Sequence, residues 1–532
     1  MDILFVATEL APTVKVGGLG DVVSALAKTL RNNGHRVTIA LPRYPAFEQA
    51  GLLFARRLTP LLLPAAAGQP SEATVLDGRL SSGVDLVLLD IATPDGSSLF
   101  GHVTGHDGAG VYDGDEAAVA SRFAAFNRAA IALIEQRAAQ AQPFDLVHVH
   151  DWPTAMVAYL MRQNPALSGT RSVLTIHNLA HQGFFAGQLP GSAQQGVAGP
   201  SRNVLSAFGL GADHFTPQKL EFYGGASLLK GGILAADAVT TVSPTYAKEI
   251  LTAERGERLD GVLRARFGSA AERLQAGPPE TLLGILNGVD YATWNPATDA
   301  TLPARFDADD ASNKGRVKST VLAGLGLSID PQRPLFVSLG RQVAQKGTDV
   351  LASALPRLLK QELTILIAGE GDAAIATALQ AAAKRDPERV QVLGRVSEAT
   401  AHGLLGAADF VLLPSRFEPC GLVQLHAQRY GALPIATRTG GFIDSIVDLD
   451  SDLETGTGFL MDGVSEDALV SGVGRALAAF AHPRFLAVRR RVMRLDTSWE
   501  RPARRYMQLY RQLTAAAAKP EADVRPQETS PT

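Results

Sequence analysis

The stretch KVGGLGD begins at Lys15 and ends at Asp21, between an apolar run and a stretch with helical periodicity. Adjacent glycines let backbone N–H groups approach an oxyanion closely, and the start of the following helix adds a partial positive charge. Lys15 adds a full charge, so Gly17 and Gly18 form a candidate anion site, although a plain turn explains the local sequence equally well. The stretch is not a P-loop, and the dinucleotide fingerprint fails because Val23 stands in place of its last glycine.

Three other predicted strands end in side chains that can do chemistry. DLVHVHD ends at Asp151, SVLTIHN contains His177, and LLGILNGVD contains Asn287. Polar groups at the carboxyl ends of parallel strands gather on the ligand-binding edge of the sheet. A single such residue is more often a hydrogen-bonded loop residue, but three together favour a site. The histidines lack the i, i+4 spacing of a helical zinc motif, so we expect no metal site.

Two cations follow a predicted strand in the second half of the chain. Arg341 and Lys346 lie five residues apart in GRQVAQKG, which suits a diphosphate bound by a bidentate arginine and a point-charge lysine. An ordinary surface loop accounts for the pair equally well. Glu418 follows the strand DFVLLPS and is a candidate catalytic or sugar-binding carboxylate. TGG at Thr439 again places a hydroxyl and bare amides before a helix.

Short apolar runs alternate with amphipathic stretches along the chain, and these runs must position the candidate residues. Near-continuous apolar strands predict a parallel sheet covered on both faces, and the alternation predicts right-handed βαβ units. At 532 residues the chain predicts two domains, with a polar, proline-containing boundary around residues 297–330. The predicted strands are ILFVAT, VTIALP, VDLVLLDI, DLVHVHD, SVLTIHN, AVTTVSP and LLGILNG, then PLFVSLG, LTILIAGEG, VQVLG, DFVLLPS, LPIATRT and GFLMDG.

The bulk composition excludes several classes of protein. The formal net charge is -3, which gives no electrostatic case for nucleic acid or an anionic membrane as partner. No stretch approaches the ~18 apolar residues of a membrane span, and the N-terminus has no basic region typical of a secretory signal. One cysteine, Cys420, precludes an intrachain disulfide. We therefore expect a cytoplasmic enzyme or binding protein.

Taken in order from residue 1 to about residue 510, these motifs resemble bacterial glycogen synthases and plant starch synthases. The resemblance rests on KVGGLGD, HVHDWPTA, IHNLAHQG, LLKGGILAAD, TVSPTYAKEI, LNGVD, QKG, PSRFEPCGL and TGG. It implies an α/β GT-B fold, with two Rossmann-like doubly wound domains facing a deep interdomain cleft. It also implies retaining transfer of glucose from ADP-glucose to the non-reducing end of an α-1,4-glucan such as glycogen, with no metal ion and no cofactor.

The resemblance also implies how the chain divides. Residues 1–297 form an acceptor-side starch synthase domain, and residues 298–495 form a nucleotide-sugar-binding domain. Residues 496–514 form a C-terminal helix that packs back across the domains. The last segment, residues 515–532, lacks an apolar face and is expected to be disordered.

Roles carried over from the family divide into catalytic and substrate-binding residues. The expected catalytic residues are His177 beside the transferred glucose, Arg341 and Lys346 on the departing ADP, Glu418 of the EPCGL segment, and Asp151 in the sugar pocket. The expected substrate-binding residues are Lys15, Gly17, Gly18, Asp21, Tyr112, Asn287, Cys420, Gly421, Leu422, Thr439, Gly440 and Gly441.

The expected chemistry follows from the charge that develops in the reaction. Breaking a glycosyl–phosphate bond places negative charge on the diphosphate and oxocarbenium character on the sugar. Without a metal ion, fixed cations and helix N-termini must stabilise the leaving group. No carboxylate is clearly placed as a covalent nucleophile, so we favour a front-face displacement in which a leaving-group phosphate oxygen accepts the proton of the acceptor hydroxyl.

Two positions depart from the family pattern. His426 stands where neighbouring glycosyltransferase families have a second glutamate and glycogen synthases tend to have an aromatic residue. Val396 stands where some bacterial members have a tyrosine that stacks on adenine.

Three alternatives remain beside an ADP-glucose-dependent synthase. One is a related GT-B transferase that uses UDP-glucose or a small acceptor. Another is a catalytically silent glucan-binding homologue, which has no reason to keep all of Lys15, His177, Arg341, Lys346 and Glu418. A nicotinamide-dependent dehydrogenase is disfavoured by the failed glycine fingerprint.

Overall fold

The structure is a computed structural model that describes residues 1–93, 95–104, 110–185, 200–268, 282–327, 330 and 332–517. The chain forms two compact units. The first unit draws on Met1–Thr240, Ala265–Glu280 and Ala503–Thr532, and the second draws on Thr241–Arg264 and Thr281–Pro502.

The first unit is built on a sheet whose centre is parallel. Its strands run in the order β12-β8-β7-β1-β2-β6-β5-β3, with β4 beside β5. The pairs β1–β2, β1–β7, β2–β6 and β7–β8 are parallel, whereas β5 pairs antiparallel with β3, β4 and β6. The strands are β1 Asp2–Val6, β2 Arg36–Pro42, β3 Phe54–Arg56, β4 Leu61–Leu62, β5 Glu72–Arg79, β6 Asp85–Asp90, β7 Leu146–His150, β8 Arg171–Ile176, β9 Phe184–Phe185, β10 Glu221–Phe222, β11 Gly225–Ser227 and β12 Ala238–Thr241.

The second unit contains a parallel sheet with strand order β16-β15-β14-β17-β18-β19. Counted within this unit from β14, the order is 3-2-1-4-5-6, which is the order of the Rossmann fold. Its topological switch point lies between β14 and β17. The remaining strands are β13 Leu283–Gly284, β14 Leu335–Leu339, β15 Thr364–Ala368, β16 Val390–Val392, β17 Phe410–Leu413, β18 Leu433–Thr437 and β19 Phe459–Met461.

Helices alternate with the strands as predicted. They are α1 Gly18–Asn32, α2 Pro45–Gln49, α3 Glu116–Ala139, α4 Asp151–Gln163, α5 Pro200–Ala207, α6 Leu228–Ala235, α7 Pro244–Glu249, α8 Asp260–Phe267, α9 Asn313–Gly324, α10 Thr348–Leu358, α11 Ala373–Arg385, α12 Glu398–Ala407, α13 Val423–Arg429, α14 Gly440–Ser445, α15 Glu466–Ala481, α16 Phe485–Met493 and α17 Glu500–Ala517, with short 3-10 turns at Pro165–Leu167, Ala212–His214 and Ala344–Lys346.

Helix α3 is the one described helix long and apolar enough to cross a membrane, and 83% of its apolar window is buried inside the protein. It is a core helix of the first unit, where Phe123, Phe126 and Ile131 are buried. Its N-terminus is capped by Asp115, whose side chain accepts a hydrogen bond from the Ala118 N–H.

All of the strands predicted from apolar runs are present, so the predicted α/β class is confirmed. The antiparallel strands β3, β4 and β5 and the small sheet of β9, β10 and β11 were not predicted from the sequence. These strands are short or exposed, and their residues therefore do not form continuous apolar runs.

The boundaries between the two compact units differ from the predicted domain boundary between residues 297 and 298. Val289 already belongs to the second unit, where its N–H donates to the Thr497 carbonyl over 2.7 Å. The chain returns to the first unit within α17, where Tyr510 Oη lies 2.7 Å from Nδ1 of buried His148. The predicted C-terminal helix is present, and residues 518–532 of the predicted tail lie outside the described residues.

Candidate active site

The glycine loop after β1 carries a carboxylate that belongs to the chain itself. Glu9 is buried, and its Oε2 accepts hydrogen bonds from the N–H groups of Val16 (2.8 Å) and Gly17 (2.9 Å). The loop therefore binds a carboxylate with the kind of backbone donors that the sequence suggested for an anion. Gly17 caps α1 without a side chain, and Gly18 is the first helical residue.

Three other predicted residues surround this loop. Lys15 Nζ forms an ion pair with Asp21 Oδ1 at 2.8 Å, and both side chains are partly exposed. Tyr112 donates from its hydroxyl to Glu9 Oε1 over 2.8 Å and lies 3.0 Å from Thr8 Oγ1. Burial is the main reason that the pKa of Tyr112 lies well above its usual value, so the phenol remains a hydrogen-bond donor.

Asp151 and His177 meet at the neighbouring ends of β7 and β8. Asp151 adopts a left-handed conformation with φ 55°, and its Oδ1 accepts from the His177 N–H over 2.6 Å. Burial raises the pKa of Asp151 to about 8, and the negative charge of Glu9 adds to the shift. A carboxyl group with this pKa is largely protonated at neutral pH, which is typical of functional sites.

His177 is the outermost member of a column of three histidines. Its Nε2 lies 3.1 Å from His150 Nδ1, and the His150 ring contacts the His148 ring in a tilted arrangement with centroids 4.3 Å apart. Burial lowers the pKa of both His177 and His148 to about 3, so both are neutral at physiological pH. Neutral imidazole can donate or accept a hydrogen bond beside a sugar without adding charge.

In the second unit the two predicted cations follow β14, at the switch point. Lys346 Nζ lies 2.5 Å from Oε2 of buried Glu418, which follows β17. Arg341 is exposed, and no described carboxylate pairs with its guanidinium. This loop thus holds one cation already neutralised by a carboxylate and one cation available to a ligand.

The two loops at the switch point are held together by backbone contacts. Gly347 has φ 67°, and a side chain there would meet the Pro414 carbonyl at 1.8 Å, so this position favours glycine. The Arg416 N–H donates to the Gln345 carbonyl over 2.8 Å, and its guanidinium pairs with Asp349. These contacts fix the approach of Lys346 to Glu418.

Cys420 is a buried structural neighbour of this loop. Burial raises the pKa of its thiol to about 12, and hydrogen bonds from the backbone and side chain of Asn287 oppose that shift. Asn287 Oδ1 is buried without a hydrogen-bond partner among the described residues. An unsatisfied buried carbonyl is an acceptor suited to a sugar hydroxyl. Gly421 has φ 71°, and Leu422 is the N-cap residue of α13.

The second glycine loop also binds a carboxylate of the chain. The Gly440 N–H donates to Glu249 Oε1 over 2.9 Å, and Thr439 Oγ1 lies 3.4 Å from the same oxygen. Gly441 lies against the backbone of the Glu418 loop, where its N–H donates to the Glu418 carbonyl and an added Cβ would meet the Cys420 carbonyl at 2.2 Å.

The site residues thus fall into contacting sets within each unit. In the first unit they are Lys15 with Asp21, Tyr112 with the glycine loop through Glu9, and Asp151 with His177. In the second unit they are Lys346 with Glu418, Asn287 with Cys420, and the Thr439–Gly441 loop with the backbone of the Glu418 loop.

Two carboxylates that hold the glycine loops were not predicted from the sequence. Glu9 follows β1 in the stretch ATELAP, and Glu249 ends α7 in SPTYAKE. An acidic residue at the carboxyl end of β1 was a signal for Glu9. No local signal identifies Glu249, because its partner loop lies about 190 residues further along the chain.

The two positions that depart from the family pattern have hydrophobic surroundings. His426 stacks on Trp294 with ring centroids 4.0 Å apart and planes 9° apart. His402 covers the other side of the same indole at 3.7 Å. Val396 is partly buried against the core of the second unit.

Comparison with known proteins gives consistent matches over the whole chain. The starch synthase catalytic domain family matches residues 2–265, and glycosyl transferases group 1 matches residues 326–480. The glycogen synthase of Paracidovorax citrulli is 38% identical over 100% of this chain and 97% of its own length. A glycogen synthase from an Anaeromyxobacter species is 39% identical over 97% of this chain and 100% of its own length.

Solved structures lead to the same family. The catalytic domain of starch synthase IV from Arabidopsis thaliana, bound to ADP and acarbose, has a TM-score of 0.83 and 30% identity, covering 97% of this chain and 99% of that one. The sucrose-phosphate synthase of Thermosynechococcus elongatus, at 18% identity and a TM-score of 0.58 over 97% of this chain and 99% of that one, shares the fold. With identity close to 40% over nearly the full length of both chains, the protein belongs to the family of glycogen and starch synthases.

Proposed function

We propose that the protein transfers glucose from ADP-glucose to the non-reducing end of an α-1,4-glucan, with retention of configuration, in glycogen synthesis. The observation that carries the proposal is the cation arrangement at the switch point of the second sheet. Arg341 is available there, and Lys346 is held against Glu418 at 2.5 Å. Ligands of doubly wound sheets bind at such switch points.

In this proposal the donor diphosphate binds Arg341, Lys346 and the Thr439–Gly441 loop, where it replaces the Glu249 carboxylate as acceptor of the Gly440 N–H. Negative charge grows on the diphosphate as the glycosyl bond breaks, and fixed cations stabilise that charge more strongly in the transition state than in the bound donor. Glu418 lies beside Lys346 and accepts hydrogen bonds from sugar hydroxyls. The starch synthase IV neighbour was solved with ADP, which supports adenosine diphosphate as the leaving group.

The residues of the first unit serve the transferred glucose and the acceptor. His177 is neutral because burial lowers its pKa to about 3. It can therefore donate or accept a hydrogen bond without placing a positive charge beside the oxocarbenium-like sugar. Asp151 holds the His177 backbone, and Tyr112 and Lys15 border the glycine loop. A phosphate oxygen of the departing ADP accepts the proton of the attacking hydroxyl, in a front-face displacement.

We further propose a cytoplasmic location, because the single cysteine is buried and no disulfide constrains the fold. The nucleotide sugar and the glucan are the expected partners.

Donor preference tests the proposal. Initial rates of nucleoside diphosphate release are measured with glycogen and either ADP-glucose or UDP-glucose at matched concentrations. We expect faster release from ADP-glucose. A clear preference for UDP-glucose would indicate the related transferase class, and no release from either donor would indicate a silent glucan-binding homologue.

A further inference from the structure

A small antiparallel sheet in the first unit carries aromatic side chains on both of its faces. Strand β11 pairs with β10 and β9, with Phe222 opposite Gly225 and Phe184 opposite Ser227. Since side chains alternate along a strand, Phe184 and Phe222 share one face and Phe185 lies on the other. The rings of Phe184 and Phe222 are 6.3 Å apart in an edge-to-face contact.

The hairpin that joins β10 to β11 presents a tyrosine at its tip. Tyr223 is 64% exposed and has φ 46°, a left-handed conformation that is uncommon for a bulky residue. Its ring meets Phe222 edge to face, with centroids 4.8 Å apart. Phe184, which contacts the same Phe222 ring, is 40% exposed. An exposed aromatic ring held in a strained turn, as Tyr223 is, indicates a binding role rather than a packing role.

The other face of the small sheet joins it to the candidate site. Phe185 contacts Trp152 with centroids 6.1 Å apart, and Trp152 directly follows Asp151. Gly183 has φ 55° and lies so close to the Trp152 ring that a Cβ there would approach it to 2.4 Å. The short segment from His177 to Phe184 therefore connects the candidate site to the exposed rings, and it is packed against Trp152.

Glycine also shapes the exposed face. An added Cβ at Gly225 would meet the Phe184 ring at 2.6 Å, so the bare backbone leaves room for that ring against β11. Glu221 Oε1 accepts from the Gly224 N–H over 2.8 Å and fixes the tip of the hairpin. The two exposed rings are thus held by a rigid support.

We propose that Tyr223 and Phe184 form a stacking platform for glucose units of the acceptor glucan, outside the point of transfer. The C–H face of a pyranose ring complements the negative face of an aromatic ring, and the uncharged polymer requires no ion pair. This inference rests on the proposed function, since it names a contact of the same acceptor beyond the reacting residue.

The test compares four variants at the two rings and one control variant, all in the full chain. Tyr223→Ala and Phe184→Ala remove a stacking ring, and Tyr223→Phe keeps the ring without the hydroxyl. Tyr223→Asn removes the ring but suits the left-handed conformation, so it separates stacking from backbone strain. Leu58→Ala is the matched control, because Leu58 is a fully exposed apolar side chain elsewhere on the first unit.

Glycogen binding is measured without donor, by affinity electrophoresis in gels that contain glycogen. We expect Tyr223→Ala, Tyr223→Asn and Phe184→Ala to weaken binding and raise the KM for glycogen by about three- to tenfold each. Tyr223→Phe and Leu58→Ala should match the wild type. The KM for ADP-glucose should stay unchanged, because a loss of folded structure would affect the use of both substrates.

Two outcomes separate this inference from the proposed function. Unchanged glycogen affinity in Tyr223→Ala and Phe184→Ala, with an active wild type, would overturn the platform and leave the function intact. A wild type that transfers no glucose would overturn the proposed function, and the donor-free binding measurement would still decide the platform.

Discussion

Arg341 and Lys346 lie on one loop, yet their electrostatic surroundings differ. Lys346 is paired with Glu418 at 2.5 Å, whereas Arg341 is exposed and no described carboxylate pairs with it. The full charge of Arg341 is therefore available to a diphosphate. The charge of Lys346 is shared with a carboxylate that also fixes its position, so its main contribution is alignment.

Arg341→Ala should lower kcat by about 10²–10³-fold, the usual effect of removing one donor to a developing oxyanion. Glycogen affinity should change little, because the interaction grows in the transition state. Steady-state kinetics and donor-free glycogen binding check this, with Arg333→Ala as a control at an arginine outside the loop. An equal loss of kcat and glycogen affinity would contradict the assigned role.

At the scale of elements, the three histidines of β7 and the end of β8 make the free energy of unfolding depend on pH. Burial holds the pKa of His150 well below its ordinary value, and His148 and His177 have pKa values of about 3. Below pH 6.5 the unfolded chain binds protons that the folded chain does not, so stability falls as the pH falls from about 6.5 toward 3. Asp151 acts in the opposite direction, because its pKa is raised to about 8.

His150→Gln should therefore make the first unit less sensitive to acid. Removing one titrating imidazole should reduce the slope of unfolding free energy against pH by about 1.4 kcal/mol per pH unit below pH 6. Denaturant titrations between pH 7.5 and 5 give this slope even when the variant is less stable overall. His482→Gln, at a partly exposed histidine, is the control, and an identical slope in wild type and His150→Gln would count against a neutral column.

The second glycine loop is an element whose function depends on close backbone approach. Gly441→Ala would place a Cβ 2.2 Å from the Cys420 carbonyl and displace the Glu418 loop. We expect a fall in both Tm and kcat. Gly474→Ala, in α15 with nothing within 4 Å of the new Cβ, should instead stabilise the protein by about 0.5–1 kcal/mol. Thermal unfolding and activity of the two variants check the contrast.

The parallel strands could be predicted from sequence because each is a nearly continuous apolar run, as in LFVSL of β14, where four of five residues are buried, and the fully buried LPIAT of β18. The candidate residues at strand ends followed from the same pattern. The carboxylates of Glu9 and Glu249 could not be assigned to the glycine loops, because such contacts arise from tertiary folding. The hairpin with Tyr223 was missed because its strands are two and three residues long.

At the scale of the whole molecule, both units contain a sheet whose strand order reverses at its first strand. In the first sheet the chain order reverses at β1 and β7, and the glycine loop and Asp151 follow those two strands. In the second sheet the order reverses at β14 and β17, and Arg341 and Glu418 follow them. Each unit therefore places candidate site residues at the switch point of a doubly wound sheet.

We propose that this protein moves glucose from ADP-glucose onto glycogen. The most direct measurement follows radiolabelled glucose into glycogen and, in the same reaction, the release of ADP. We predict that labelled glycogen and ADP form in equal amounts and that ADP release requires glycogen. ADP release at the same rate without glycogen, or release without labelled glycogen, would contradict the account.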